Sequence, residues 1–221
     1  MVQEKLTALV LGANGLIGEI VVDLLLKNDK YGSVFAVSRK GVNKESSKLV
    51  QIFADIYNVE DKIKDLKVDV LFSCIGSTQA KTPDKDVYHK IDHDYPILVS
   101  QLLQKNGCNT VCLVSSIGAN MNSKQFYLKL KGEVEQSLIN LNFTHTYIFQ
   151  PSLLIGKRKE HRLTESIIQK LSPIFNIFML GSLKHFRSIS AETVARAMLT
   201  AATSSIDGVH IYKSEEIKKL A

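Results

Sequence analysis

The sequence predicts an α/β fold, a doubly wound and mainly parallel sheet with helices on both faces and a small C-terminal region beyond it. Three observations predict this. Short apolar runs alternate with helical patterns from the N-terminus onward, as strands joined by crossover helices do. The 221 residues, 45% hydrophobic and 23% charged, fit one globular domain, 1–221, with room for a buried core. The first apolar run feeds a glycine-rich turn and then a helix.

Composition narrows the classes. The net charge is +6, but Lys and Arg are scattered and form no run of five or six, so a solvated basic surface that favours anionic small molecules is expected and a nucleic-acid partner is not. No apolar stretch approaches the ~18 residues that span a bilayer, and Met1 to Lys5 is polar and charged. A cytoplasmic protein without a membrane segment is therefore expected. Cys74, Cys108 and Cys112 are odd in number and lack zinc-site spacing; they read as small buried apolar residues of a reducing compartment.

Taken in order, the first strand is the run Ala8 to Leu11, followed by Gly12-Ala13-Asn14-Gly15-Leu16-Ile17-Gly18 and a helix through Lys27. A buried strand that delivers such a turn to a helix N-terminus makes an anion site, because unpaired amides and the helix dipole face the turn. Gly12 permits the tight turn, Gly15 admits phosphate to the backbone, and Gly18 lets the helix lie close to the strand. This is a cradle for a dinucleotide pyrophosphate, formed by Gly12, Asn14, Gly15, Leu16, Ile17 and Gly18, and the fold is accordingly Rossmann-like.

Ser33 to Val37 reads as the second strand, ending in Ser38-Arg39-Lys40. Roughly twenty residues past the glycine turn, an acidic residue would bind the ribose 2′-hydroxyl of NAD. No acid occurs between Val34 and Lys44; Arg39 and Lys40 suit a 2′-phosphate, so NADP(H) is expected in preference to NAD(H). Lys48 to Ala54 is the third strand, and Asp55-Ile56 follows where a carboxylate meets an adenine amino group. Val68 to Cys74 is the fourth strand, and it opens into Ile75, Gly76, Ser77 and Thr78, small enough for the cofactor to lie against the backbone.

Gln79 to Lys90 reads as a long polar connection and candidate lid, and Tyr88 to Lys105 as a helix bent near Pro96. His89 and His93 stand four apart beside Asp92 and Asp94. With no assured third ligand they read as a polar helix face, and no metal is expected; Asp92 is a separate candidate for facing the cleft. Thr110 to Val114 is the fifth strand, capped by Ser115-Ser116-Ile117-Gly118. A helix from about Lys124 to Asn140 follows, with Tyr127 and Lys131 four apart on one face.

That arrangement suits carbonyl reduction. A phenol can protonate the substrate oxygen, but its ordinary pKa near 10 must fall, and a drop to about 7 takes about 4 kcal/mol of phenolate stabilisation. A lysine ammonium on the same face supplies part of that. A strand-end serine can hold the oxygen: Ser115 lies twelve residues before Tyr127 and Ser116 eleven, and both remain candidates, with Ser115 preferred.

The order of glycine turn, basic second-strand end, small fourth-strand end, serine fifth-strand end and YxxxK resembles the short-chain dehydrogenase/reductase superfamily, and the GxxGxxG spacing resembles its atypical branch. The segments SCIGSTQAKTPDKDVYHKIDHDYP (73–96), SSIGANMNSKQFYLKLKGEVE (115–135) and FQPSLLIGKRKEHR (149–162) resemble the Tat-interacting-protein-like oxidoreductases. The resemblance implies NADP(H) held by Gly12, Gly15, Gly18, Arg39, Lys40, Cys74, Gly76, Tyr127 and Lys131, with Pro151, Ser152 and Leu153 at the nicotinamide end. Gln150 and Ser152 depart from the arginine and glycine that the resemblance leads one to expect. Some relatives act as regulators, so a cofactor-sensing protein with a protein partner stands beside the enzyme reading.

Phe143 to Gln150 is the sixth strand, and 151–221 is expected to supply a small substrate-side region. The basic stretch Gly156 to Glu165 is a candidate lip and Ile167 to Leu183 a core segment. A helix from Glu192 to Thr203, an edge strand Val209 to Tyr212 and a closing helix Ser214 to Leu220 end the chain. The substrate is expected to be a small carbonyl or alcohol, and the protein a monomer or homodimer.

Overall fold

The structure, a computed structural model, describes residues 4–78, 80–155, 188–204 and 206–221. β1 (Leu6–Leu11) leads into α1 (Leu16–Lys27), followed by β2 (Tyr31–Ser38), β3 (Leu49–Phe53), α2 (Val59–Ile63) and β4 (Val70–Ser73). α3 (Lys85–His89) runs through a π-helical turn (Lys90–Asp94) into α4 (Tyr95–Lys105). Then come β5 (Thr110–Val114), α5 (Phe126–Ile139), β6 (His145–Gln150), β7 (Leu154–Ile155) and β8 (Ile189–Ser190). α6 (Ala191–Ala202), β9 (Gly208–Lys213) and α7 (Ser214–Leu220) complete the described chain.

Seven strands form one sheet in the order β3-β2-β1-β4-β5-β6-β9, and every neighbouring pair is parallel. The doubly wound α/β architecture expected from the sequence is thus the one observed. Parallel strands buried on both faces need apolar residues at nearly every position, and β1 supplies them. Its Ala8 and Val10 face a core shared with α1 and α6, while Leu9 and Leu11 face a second core beside α4 and α5. The same alternation sends Cys112 of β5 to the first core and Val111 and Leu113 to the second. Cys108 and Cys112 are buried, Cys74 is half-buried, and all three are free thiols.

Several local expectations change. The connection after β4 is tied down rather than a lid through Lys90: Asp84 caps α3 by accepting from the Asp86 and Val87 amides, and the buried Tyr88 donates its hydroxyl to the Ser77 carbonyl at 3.2 Å. Gln79 lies outside the described residues. The bend near Pro96 is the π-helical turn, closed by the Tyr95 amide on the Lys90 carbonyl. A proline ring collides with the carbonyl four residues back in a regular helix, and the wider turn relieves that collision. α2 and the two-residue pair β7 and β8 were not foreseen, being too short to show a period. The stretches 156–165 and 167–183 fall wholly in 156–187, outside the described residues.

Candidate functional site

The strand order reverses direction between β1 and β4, and in open parallel sheets ligands bind beyond the carboxyl ends of the strands at that point. A cleft of about 2550 Å³ lies there, bordered by every residue singled out above as catalytic or cofactor-binding except Gly18. Pockets for drug-sized ligands run to about 300–1000 Å³, so this cleft has room for a dinucleotide and a second molecule.

At its floor the glycine turn is fixed by the Gly12 and Ala13 amides, which donate to the Val37 carbonyl at 3.0 and 3.2 Å. Gly12 has φ +79°, and a Cβ there would stand 3.0 Å from the Cys74 backbone. A Cβ on Gly18 would lie 2.2 Å from the Gly12 carbonyl oxygen, which explains why this residue contributes through contact with the turn and not by lining the cleft. Gly15 is the N-cap of α1 and offers no capping side chain, so the first-turn amides, which have no intrahelical acceptor, are presented to the cleft.

Along the wall, Arg39 and Lys40 at the end of β2 are exposed and Asp55 is half-buried beyond β3. The Asp55 carboxylate accepts the Tyr57 amide at 2.9 Å. Three buried hydroxyls bordering the cleft, on Ser38, Thr78 and Tyr95, have no hydrogen-bond partner. Burial pushes the Tyr95 phenol well above its ordinary pKa, with the Asp55 charge adding to the effect and Arg39 opposing it. Such groups are costly when unpaired, and polar atoms of a bound molecule would satisfy them.

Tyr127, which also borders the cleft, is 40% exposed near the start of α5, and the buried Lys131 ammonium stands 5.9 Å from its ring centre. Lys131 Nζ donates to Asp92 Oδ2 at 3.0 Å, and the other Asp92 oxygen accepts the Ser77 amide at 2.6 Å. Burial pulls the lysine pKa down, but Asp92 and the neighbouring groups outweigh it and leave it raised. A Cβ at Gly76 would be 3.7 Å from both Asp92 Oδ2 and Lys131 Nζ, an ordinary contact distance, so this residue lies directly beside the ion pair. Asp92, the separate candidate in the sequence, is the lysine's partner.

The two serines are held differently. Ser115 donates its hydroxyl to the buried Glu135 carboxylate, which also accepts both Gln150 contacts at 3.0 Å. Burial pushes the Glu135 carboxyl up, against the hydrogen bonds from Ser115 and Gln150 and the Lys131 charge. Ser116 is half-buried, with its hydroxyl 3.4 Å from the Ile117 carbonyl. Glu135 was not singled out from the sequence. Its signal is its position one helical turn beyond Lys131, on the face that Lys131 buries. Gln150, flagged as a departure, points at Glu135 rather than at the cleft.

Residues 8–213 match the model of the NAD dependent epimerase/dehydratase family. The chain belongs to this family. Among curated relatives, Protein FMP52, mitochondrial, of Candida albicans is 32% identical, with 98% of each chain covered. Its namesake in Candida glabrata is 36% identical over 71% of this chain and 67% of its own. Among solved structures, the UDP-N-acetylglucosamine 4-epimerase of Methanobrevibacter ruminantium superposes with a TM-score of 0.72 at 18% identity, covering 96% of this chain and 77% of its own. A short chain dehydrogenase family protein of Francisella tularensis gives 0.67 at 18% identity, covering 91% and 93%. These structures share the fold.

The relatives' names correct the expectation of a cytoplasmic protein, since members in five yeasts are designated mitochondrial. No helix among the described residues is long and apolar enough to cross a membrane, but that property does not distinguish the two compartments. The cradle, the crowding behind Gly12 and Gly18, and the three unpartnered hydroxyls fit the nicotinamide dinucleotide for which the family is named.

Proposed function

We propose that this chain is a mitochondrial NADP(H)-dependent oxidoreductase of the short-chain dehydrogenase/reductase type, in the Tat-interacting-protein-like branch, which reduces a carbonyl or oxidises an alcohol of a small molecule. The observation that supports this reading is that Tyr127, Lys131 and both strand-end serines border the same cleft as the glycine turn. A nicotinamide cofactor, when bound, supplies or accepts the hydride. The turn from Gly12 to Ile17 would hold its phosphates, and Arg39 and Lys40 would receive a 2′-phosphate, for which an Arg fork is well suited.

The chain's own residues handle the proton and the oxygen. In reduction the Tyr127 hydroxyl gives its proton to the substrate oxygen as the carbonyl carbon becomes CH–OH, and the phenolate left behind is stabilised by the Lys131 ammonium. Ser116 donates to the same oxygen. Ser115 is committed to Glu135, so its role is to fix the end of β5 against α5.

Tyr127→Phe tests the chemistry. The account expects turnover of a small-aldehyde panel to fall by at least ~10²-fold, the usual size of an acid–base contribution, with cofactor affinity little changed. Ser116→Ala should lower kcat more than Ser115→Ala does. Unaltered turnover in Tyr127→Phe would remove the tyrosine from the chemistry, and absence of turnover in both forms with intact cofactor binding would favour a cofactor sensor.

A further inference from the structure

We propose that His89, His93 and Asp94 form a binding site for a divalent metal ion of the zinc class, separate from the dinucleotide cleft. His89 closes α3, and the other two residues lie on the π-helical turn that follows. In a regular helix His93 and its neighbour Asp94 would point to different sides. A turn closed between residues five apart brings both the fourth and the fifth neighbour of His89 alongside it. The Asp94 carboxylate accordingly lies against both imidazoles, with Oδ1 2.8 Å from His93 Nδ1 and 3.3 Å from His89 Nδ1. The three ligand atoms all fall within 4.8 Å of one another.

These separations suit coordination. Zinc bonds of about 2.0–2.2 Å to nitrogen and oxygen put adjacent tetrahedral ligands about 3.3–3.4 Å apart; the His89–Asp94 edge already matches, the His93–Asp94 edge has to open, and the His89–His93 edge lies within 4.8 Å. The distal nitrogen of His93 has a hydrogen-bonding partner on α5, and that of His89 has a carboxylate of the same helix nearby but beyond hydrogen-bond distance. His93 Nε2 is 2.9 Å from Ser137 Oγ, and His89 Nε2 is 3.8 Å from Glu133 Oε2. Hydroxyl or carboxylate partners on the far nitrogen are the usual support of metal-bound histidines, fixing the tautomer that leaves the near nitrogen as donor. In the metal-free chain the His93–Asp94 edge is a 2.8 Å hydrogen bond, and an ion in the cluster would replace the proton on that edge while His93 Nε2 takes a proton to donate to Ser137 Oγ. Two imidazoles and one carboxylate favour zinc, nickel or copper over calcium or magnesium. The side chains are part-exposed, so water can complete the shell. An ion here would clamp the turn that carries Asp92.

The test is calorimetric titration of the chelator-treated full chain with Zn²⁺ alone, repeated with Co²⁺ followed by absorption. The expected result is one ion per chain in the wild type. Binding should be lost in His93→Gln and His89→Gln, and weakened by about 10–100-fold in Ser137→Ala, the usual cost of losing such a support. The thermal midpoint should rise with Zn²⁺ in the wild type and not in the two histidine variants, whose metal-free midpoints, measured in the same series, establish that they fold. Absence of binding in the wild type would overturn the site and leave protons alone holding the cluster. Binding that survives both histidine substitutions, or a Co²⁺ spectrum with an intense thiolate charge-transfer band, would overturn it too.

Discussion

Asp92 and Lys131 are both buried and both charged, and neither is tolerable alone. Removing one partner of a buried pair typically costs about 3–5 kcal/mol, because the other charge is left without compensation. Asp92→Ala should therefore destabilise the protein by about that much in urea denaturation, and Asp92→Ala with Lys131→Met should cost less than the two single changes summed; additive losses would show that the pair is not coupled. The raised lysine pKa favours folding at any pH below the ordinary lysine range and is lost only as pH rises through the folded value, above about 10.4, so the pair is intact at neutral pH. Glu135 titrates lower. Its raised carboxyl favours the folded state fully below about pH 4.3, and this contribution is lost as pH rises through the folded value. Glu135→Gln imitates the protonated group, so its stability advantage over wild type should be small near about pH 4 and largest near neutrality. Urea midpoints at both pH values check this, and an advantage that does not change with pH would contradict it.

The elements that position the site differ in how openly the sequence announces them. β1, the glycine turn and α1 were legible together because burial on both faces demands an apolar run and the close approach demands glycine. Gly18→Ala should cost at least about 1–3 kcal/mol of stability, as overpacking does, and weaken dinucleotide binding, because the new methyl would meet the Gly12 carbonyl oxygen. Thermal melts and a cofactor titration measure both, and an unaffected variant would show that α1 can move away without consequence. The Tyr127 and Lys131 pair was legible from its spacing. The Lys131 partner was not, because Asp92 comes from a helix far away in sequence and is aimed by a π-helical turn whose only mark is Pro96. Glu135 was hidden for a related reason: a glutamate in a charged helix reads as surface until Ser115 and Gln150 are brought against it. Long periodic segments declared themselves; β7 and β8, two residues each, could not.

For the whole molecule, the parallel order of the sheet sets the carboxyl ends of β1, β2, β4, β5 and β6 around one cleft, so residues far apart in sequence become neighbours. The fold is therefore shared with epimerases of low sequence identity, while the residues along the cleft decide the chemistry. In the proposed function the basic end of β2 would set the preference for NADP(H) over NAD(H). The most direct measurement is a titration of the purified protein with NADPH and NADH, followed by nicotinamide fluorescence, in wild type and in Arg39→Ala. The account predicts NADPH to bind about 10–100-fold more tightly, the worth of one or two charge-assisted hydrogen bonds, and the preference to collapse in Arg39→Ala. Failure of both nucleotides to bind the wild type would contradict the cradle, and a preference for NADH left unchanged by Arg39→Ala would contradict the assignment of the second-strand end.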